Sequence, residues 1–399
     1  MIELEEAIDL LINSVKSKTE TEKLDILSAS GRIAAEDVTA SFSVPHFPKS
    51  GMDGYAVRSQ DTRGASEETP IHVQVIGEIC AGEFLSVSAK PMTAVRVMTG
   101  GLIPEGYDSV IRQEDTDYGK EHVALYEEIR PGQNYCRIGE DIEAGSLVIS
   151  RHTRLEAGHI GVLASMGIME IEVFQRLEVG IISTGSELVP LAGSLGKVGV
   201  YPSSAYALAA KLKEQGVFVA FMQICPDNPE VFTSMLDQKI SQADVIITTG
   251  ALSVGKKDFL PETLERIGAK RLFHGVNMRP GTPVMASEYK NKLILSLSGY
   301  PLAAMVNFQL FFLPVMAKMT GAESLFLKKI TGVVVEGRAD EAKRRRFVQA
   351  FCDEAGVHIL EKKDRSSVLS GILSSNCIID QKQGTVILPG ETVEVLYWK

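Results

Sequence analysis

The sequence predicts a multidomain α/β-plus-β protein: a central doubly wound α/β domain, an inserted β-rich domain and a small C-terminal β-barrel-like domain. Length is the first indication, because 399 residues exceed what one small core can use. The second is a set of continuous apolar runs between 177 and 299 that alternate with helical segments, the pattern of parallel strands covered on both faces. The third is the flanking sequence, where short apolar runs are separated by glycine and proline.

The elements follow in chain order. Leu4, Ala7, Ile8, Leu11, Ile12 and Val15 recur at helical spacing, so the chain opens with an amphipathic helix. From 45 to 139, runs such as "IHVQVIG", "AVRVM" and "SVIRQE" predict the β-rich insertion. Residues 1–44 and 140–175, the latter with the helical "EAGHIGVLASMGI", are expected to form one discontinuous helical and linker domain around it. Residues 176–321 carry strands "LEVGIIS", "VFVAFMQIC", "ADVIITT" and "LILSLSG" separated by helices, which makes them the α/β domain. Residues 322–399, with "ITGVVVEG", "FVQAF", "VHIL" and "ETVEVLYW", are expected to form the terminal β domain.

Charge and special residues narrow the function. The net charge of −10 argues against a general nucleic-acid binder. The run "KRRR" at 343–346 reads as solvated surface. Five scattered cysteines with no CxxC fit thiols in a reducing compartment. The histidines form no HExxH, and the acidic N-terminus lacks a signal peptide's basic start. The stretch "LFFLPVMA" is too short to cross a bilayer, so a cytoplasmic protein is expected.

In open α/β sheets the ligand crevice lies at the carboxyl ends of the strands. Four loops leave such ends here: "TGSEL" with Thr184, Gly185 and Glu187; "PDNPE" with Asp227; "TTGALSVGKKDF" with Gly250, Ser253, Gly255, Lys256, Lys257 and Asp258; and "SGYP". Glycine lets backbone N–H groups approach an anion, hydroxyls add donors and lysine adds charge. Glu187, Asp227 and Asp258 are oxygen donors suited to Mg²⁺ bridged to substrate phosphates. No GxSxG elbow surrounds Ser253, which argues against covalent serine catalysis. Taken one at a time, such loops are commonly plain turns; four on one sheet edge indicate a ligand site.

Long segments carry a family resemblance. "PHFPKSGMDGYAVR" (45–58), "AVRVMTGGLIPEGYDSVIRQEDT" (94–116), "GQNYCRIGEDIEAG" (132–145), "VGIISTGSEL" (179–188) and "ADVIITTGALSVGKKDF" (243–259) together resemble the molybdopterin molybdenumtransferase family, which includes the E domain of gephyrin. The resemblance covers nearly the whole chain and makes the α/β domain molybdopterin-binding-like. It implies a homodimer that inserts molybdate into adenylylated molybdopterin with Mg²⁺ and releases AMP. The site would be completed by the partner subunit, and a molybdopterin adenylyltransferase and apo-molybdoenzymes are candidate partners. Matched by motif, Asp53, Thr99, Asp141 and Glu187 are the expected catalytic residues, with Asp227, Ser253 and Asp258 beside Glu187 in the α/β domain. Arg344 and Ser367 would be oxyanion contacts in the terminal domain.

The sequence departs from the family pattern within the α/β site. Ser186 replaces an acid, "YPSS" (201–204, with Pro202) stands for Tyr-Asp-Ser-Asn, and Ala251 replaces a glycine. Lys256 occupies an acidic position, "RPGTP" (279–283) keeps Arg279 but has Thr282 for a lysine, and "SGYP" (298–301) has Ser298 and Tyr300 in a Pro-Gly-Asn-Pro turn. Tyr300 would stack on a ligand ring or fill the pocket. Two readings follow, a divergent working enzyme or an altered paralogue that binds a pterin, a nucleotide or a protein. Retention of Asp53, Glu187, Asp227 and Asp258 favours the enzyme.

Overall fold

The structure, a computed structural model, describes residues 1–252, 258–325, 328–360 and 368–398. The chain divides into two compact units, one of Met1–Glu36, His152–Glu156 and Glu170–Lys399, the other of Asp37–Arg151 and Ala157–Met169.

The second unit is built on a five-stranded sheet in the order 109–112, 54–57, 93–97, 71–79, 122–125. Its side chains alternate between two cores. Tyr55, Val57, Ile111 and Val123 pack on one face, while Ala56, Val95, Val97 and Val110 pack on the other. Burial on both faces explains why runs such as "AVRVM" lack a polar alternation.

The first unit opens with α1 (Leu4–Ser14), which buries Leu4, Ala7 and Leu11. Its sheet has strands β1 (Glu178–Thr184), β2 (Phe218–Cys225), β3 (Val245–Thr249), β4 (Lys270–His274), β5 (Met285–Tyr289) and β6 (Lys292–Leu297). Their order is β2-β1-β3-β6-β5-β4. Neighbours among β2, β1, β3 and β6 run parallel. These are the strands read from the four apolar runs. The pair β5 and β4 adds an antiparallel edge. Between strands lie α2 (Ser203–Glu214), α3 (Pro229–Lys239) and α4 (Leu260–Arg266).

After β6 a helix of 20 residues, Pro301–Thr320, runs through the core. It comprises α5 (Pro301–Asn307), a π turn (Phe308–Phe312) and α6 (Leu313–Thr320). The π turn directly precedes Pro314, whose missing N–H would break a regular α-helical ladder there. By length and composition this helix is sufficient to cross a membrane, which corrects the expectation drawn from the shorter "LFFLPVMA". However, 94% of its most apolar window is buried inside the protein. A helix that is apolar all round is stable in such a core.

The terminal strands β7 (Lys329–Glu336), β8 (Arg345–Cys352), β9 (Val357–Ile359), β10 (Cys377–Gln381) and β11 (Thr392–Tyr397) form a small closed β-barrel. Closure comes from β8 pairing with β10 as well as β9, in the register Ala350 to Cys377. The barrel encloses Val334, Val348, Val357, Ile379 and Val395.

Candidate functional site

A cavity of about 670 Å³ opens at the carboxyl ends of β1, β3 and β6. Apolar strands end there in hydroxyl residues, and these residues make its floor. Thr184 Oγ1 donates to the Thr249 carbonyl at 2.9 Å, and Thr249 Oγ1 donates to Ser183 Oγ at 3.0 Å. Gly250 adopts φ +91°, and a Cβ there would lie 2.5 Å from the Thr184 carbonyl oxygen. Only glycine permits this approach of the β3 loop to the β1 loop.

Of the predicted residues, the cavity brings together Thr184, Gly185, Glu187, Asp227, Gly250, Asp258 and Tyr300. Asp227 is held against the first loop by a reciprocal pair of bonds. The Ser186 N–H donates to Asp227 Oδ2 at 3.2 Å, and the Asp227 N–H donates to Ser186 Oγ at 3.0 Å. The neighbouring Cys225 is not a nucleophile at neutral pH. Burial, reinforced by Asp227, pushes its thiol up to about 11. Ser253, Gly255, Lys256 and Lys257 lie outside the described residues, as does Ser367.

Two helices begin at this cavity. Ser203 and Ser204 at the start of α2 line one side, and Tyr300 and Pro301 at the start of α5 line another. The residues at their N-caps are Pro202 and Tyr300, and neither side chain caps its helix. By contrast, Asn228 caps α3 by accepting from the Glu230 and Val231 N–H groups at 3.0 and 2.9 Å. First-turn N–H groups without a capping side chain favour an anion. Both helices were read in the sequence, from "SSAYALAAKLKEQG" and from the run that follows "SGYP", but their starts were not read as an anion site.

The charged side chains lining the cavity among the described residues are Glu187, Asp227 and Asp258, all acidic. Each helix start contributes roughly half a positive charge, so two of them offset about one of the three carboxylates. The carboxylates share the cavity without converging. Among the described residues no three Asp, Glu, His or Cys side chains are close enough to hold a metal by themselves. Hard oxygen donors of this kind still suit Mg²⁺, which commonly takes one or two carboxylates and completes its shell with substrate phosphates and water.

A second cavity of about 490 Å³ lies in the same unit and is lined by Arg279, Thr282, Lys343, Arg344 and Arg346, with Asp340 and Glu341. Arg279 and Arg344 therefore share a basic pocket rather than the first cavity. This corrects the expectation that "KRRR" is merely solvated. Arg345, in the same run, points elsewhere: it donates to both oxygens of Asp380 at 2.8 and 2.6 Å and to Glu5 at 2.6 Å.

Asp53, Thr99 and Asp141 belong to the other unit. Asp53 Oδ1 accepts from the Thr99 N–H and the Thr99 hydroxyl, both at 2.7 Å. These bonds hold its carboxyl below the usual carboxylate range, the backbone bond contributing most. Asp141 lies beside the bridge between Val44 and Ile142, its N–H donating to the Val44 carbonyl at 3.1 Å.

Comparison with known proteins agrees with this arrangement. Residues 2–167 match the family described as the MoeA N-terminal region (domain I and II), and residues 180–318 match the probable molybdopterin binding domain. A molybdopterin molybdenumtransferase of Haemophilus influenzae is 31% identical over 403 residues, covering 99% of this chain and 98% of that protein. One from Bacillus subtilis is 33% identical over 385 residues, covering 94% and 90%. The crystal structure of the molybdopterin biosynthesis moeA protein from Pyrococcus horikoshii OT3 superposes with a TM-score of 0.84 at 28% identity, covering 100% of both chains. With near-complete coverage at this identity, and a shared fold from end to end, the chain belongs to the molybdopterin molybdenumtransferase family.

Proposed function

We propose that this protein acts in molybdenum cofactor biosynthesis by inserting molybdate into adenylylated molybdopterin, releasing AMP, with Mg²⁺ as the required cation. The observation that carries this reading is the first cavity, where two helix starts without capping side chains and three carboxylates face one volume at the strand ends. The helix starts and the Ser203 hydroxyl suit phosphate oxygens, while the Ser204 hydroxyl donates to the Gly299 carbonyl at 3.1 Å and ties the two helix starts together. The carboxylates do not. Two unit charges about 4 Å apart near a protein surface repel by roughly 4 kcal/mol, so a polyanionic ligand beside three carboxylates needs a countercation.

Glu187, Asp227 and Asp258 would hold Mg²⁺ together with the substrate's phosphates, and a bound Mg²⁺ supplies charge stabilisation for the departing phosphate. The chain's own residues do the rest. Ser186 fixes Asp227, Gly250 lets the β3 loop close on the floor, and the helix starts orient the phosphates. The basic pocket of Arg279, Arg344 and Arg346 suits molybdate, a tetrahedral dianion, before transfer. Asp53 and Thr99 are proposed as catalytic residues, and the bonds from Thr99 favour the ionised form of the Asp53 carboxyl.

The five free cysteines support a cytoplasmic location. A homodimer is supported by β2, the sheet's edge, which spans eight residues without a charged side chain. The adenylyltransferase that makes the substrate and the apo-molybdoenzymes that take the product are the partners this reading implies.

The test incubates purified protein with adenylylated molybdopterin, Mg²⁺ and molybdate, and follows AMP release and activation of an apo-molybdoenzyme. Molybdate-dependent release of both is expected. Absence of turnover under conditions in which a Bacillus subtilis relative is active would reject the reading.

A further inference from the structure

We propose that Tyr300 determines ligand specificity in the first cavity by stacking on a flat nitrogen heterocycle whose phosphate sits at the start of the adjoining helix. The inference rests on the function proposed above and deepens it. The place of Tyr300 is unusual in helix chemistry. It is the N-cap of α5, a position favouring Ser, Thr, Asp or Asn, and its side chain makes no capping bond. The helix therefore gives no reason for a tyrosine there.

Packing gives none either. Its side chain is 60% exposed although it lines the cavity, and about 670 Å³ remains open beside it, so the ring does not plug the cleft. The other tyrosine at the rim, Tyr201, is tied into its loop by a hydroxyl bond to the Gly193 carbonyl at 3.1 Å. Among the described residues Tyr300 is fixed through its backbone alone. Its N–H donates to Ser298 Oγ at 3.3 Å, its carbonyl accepts from the Ala304 N–H at 2.9 Å, and Pro301 restricts it to an extended conformation, φ −73° and ψ 127°.

An aromatic plane on a fixed backbone offers contact area at small entropic cost, because only two side-chain torsions need ordering. The helix start beside it suits a phosphate, so a ligand with its phosphate there would carry its ring past Tyr300. Two heterocycles in the proposed substrate satisfy this chemistry, the purine of its adenylate and the pterin.

The test measures binding by calorimetry in Mg²⁺ buffer for wild type, Tyr300→Phe and Tyr300→Asn. The probes are AMP, 6-hydroxymethylpterin phosphate and ribose 5-phosphate, which lacks a base. Stacking on a base is worth enough for roughly a tenfold loss when the ring is removed. Tyr300→Asn is expected to weaken AMP or the pterin phosphate by about tenfold while Tyr300→Phe does not, and the probe affected identifies the stacked ring. Ribose 5-phosphate should bind equally to all three proteins. Equal binding of both ring-bearing probes to wild type and Tyr300→Asn overturns the stacking role alone. An equal loss for ribose 5-phosphate also overturns it, since Tyr300 would then act on phosphate or sugar. Failure of wild type to bind either ring-bearing probe overturns both the stacking role and the function on which it rests.

Discussion

Asp380 shows at the residue scale how a charge remote from the cavity secures the fold. Its side chain is 1% exposed, and Arg345 and Lys382 both bond to it. Burial alone would raise its carboxyl, but the hydrogen bonds from Arg345 and Lys382 outweigh burial and hold it below the usual range. A depressed carboxylate contributes stability above its unfolded value, about 3.9, and loses it as pH falls through the folded value. Asp380→Asn should therefore cost about 3 kcal/mol at neutral pH, because it leaves the largely buried Arg345 guanidinium with only the exposed Glu5 carboxylate as its anion. It should also flatten the loss of stability below about pH 4. Urea unfolding of both proteins at neutral and acidic pH checks this; parallel curves across that range would remove Asp380 from the account. Such a pair was not legible in the sequence. Arg345 stands 35 positions from Asp380 and 340 from Glu5, and nothing in "KRRR" distinguishes it from the three residues that line the basic pocket. Glu187, Asp227 and Asp258 were legible because each follows an apolar run, and chain direction alone puts those ends on one edge of a parallel sheet.

At the scale of elements, the cavity depends on the strand-to-helix turns. The parallel strands were readable because burial on both faces leaves an apolar run. The antiparallel pair β4 and β5 was missed because "KRLFH" opens with two exposed charges and "MASEY", though buried through Met285–Ser287, mixes polar with apolar residues and makes no apolar run. Helices α2 and α5 were readable, but their starts were not read as an anion site, because Pro202 and Tyr300 carry no capping chemistry and no local pattern flags them. Gly250 tests the turn itself. Alanine there must adopt φ +91° with its Cβ 2.5 Å from the Thr184 carbonyl oxygen. Gly250→Ala is expected to cost about 1–3 kcal/mol from backbone strain and to separate the β1 and β3 loops. Thermal unfolding should show the lost stability, and AMP binding should weaken in parallel. Wild-type affinity in the variant would mean that contact between these loops does not shape the site.

At the scale of the whole molecule, the edge of the α/β sheet is a surface with two possible fates. Proteins protect exposed edges with charge, proline, bulges or brevity, because unpaired N–H and C=O groups recruit other strands. Strand β2 has eight residues, no charge and no proline, and its one irregularity is a bulge at Ala220, between Val219 and Phe221. Beside it Phe218 is 52% and Tyr206 47% exposed, and a groove of about 510 Å³ is lined by Tyr206, Ala209, Lys213, Val219, Phe221 and Met222. Left bare, such an edge invites aggregation; covered by the same surface of a second copy, it becomes a self-complementary two-fold interface. The chain should therefore run as a dimer of twice 43.4 kDa in light scattering. Phe218→Glu and Met222→Glu each place a carboxylate on this edge strand, on opposite faces of the sheet, and in a two-fold pair of edges each would appear twice, like charge near like charge. Phe218 is exposed, so the monomer's own fold should tolerate its change, whereas Met222 packs against the core and its variant is read only where the fold is retained. Circular dichroism is expected to match wild type while the mass falls to 43.4 kDa. A wild-type monomer, or a double variant that stays dimeric, would show that this edge is covered by something other than a second copy.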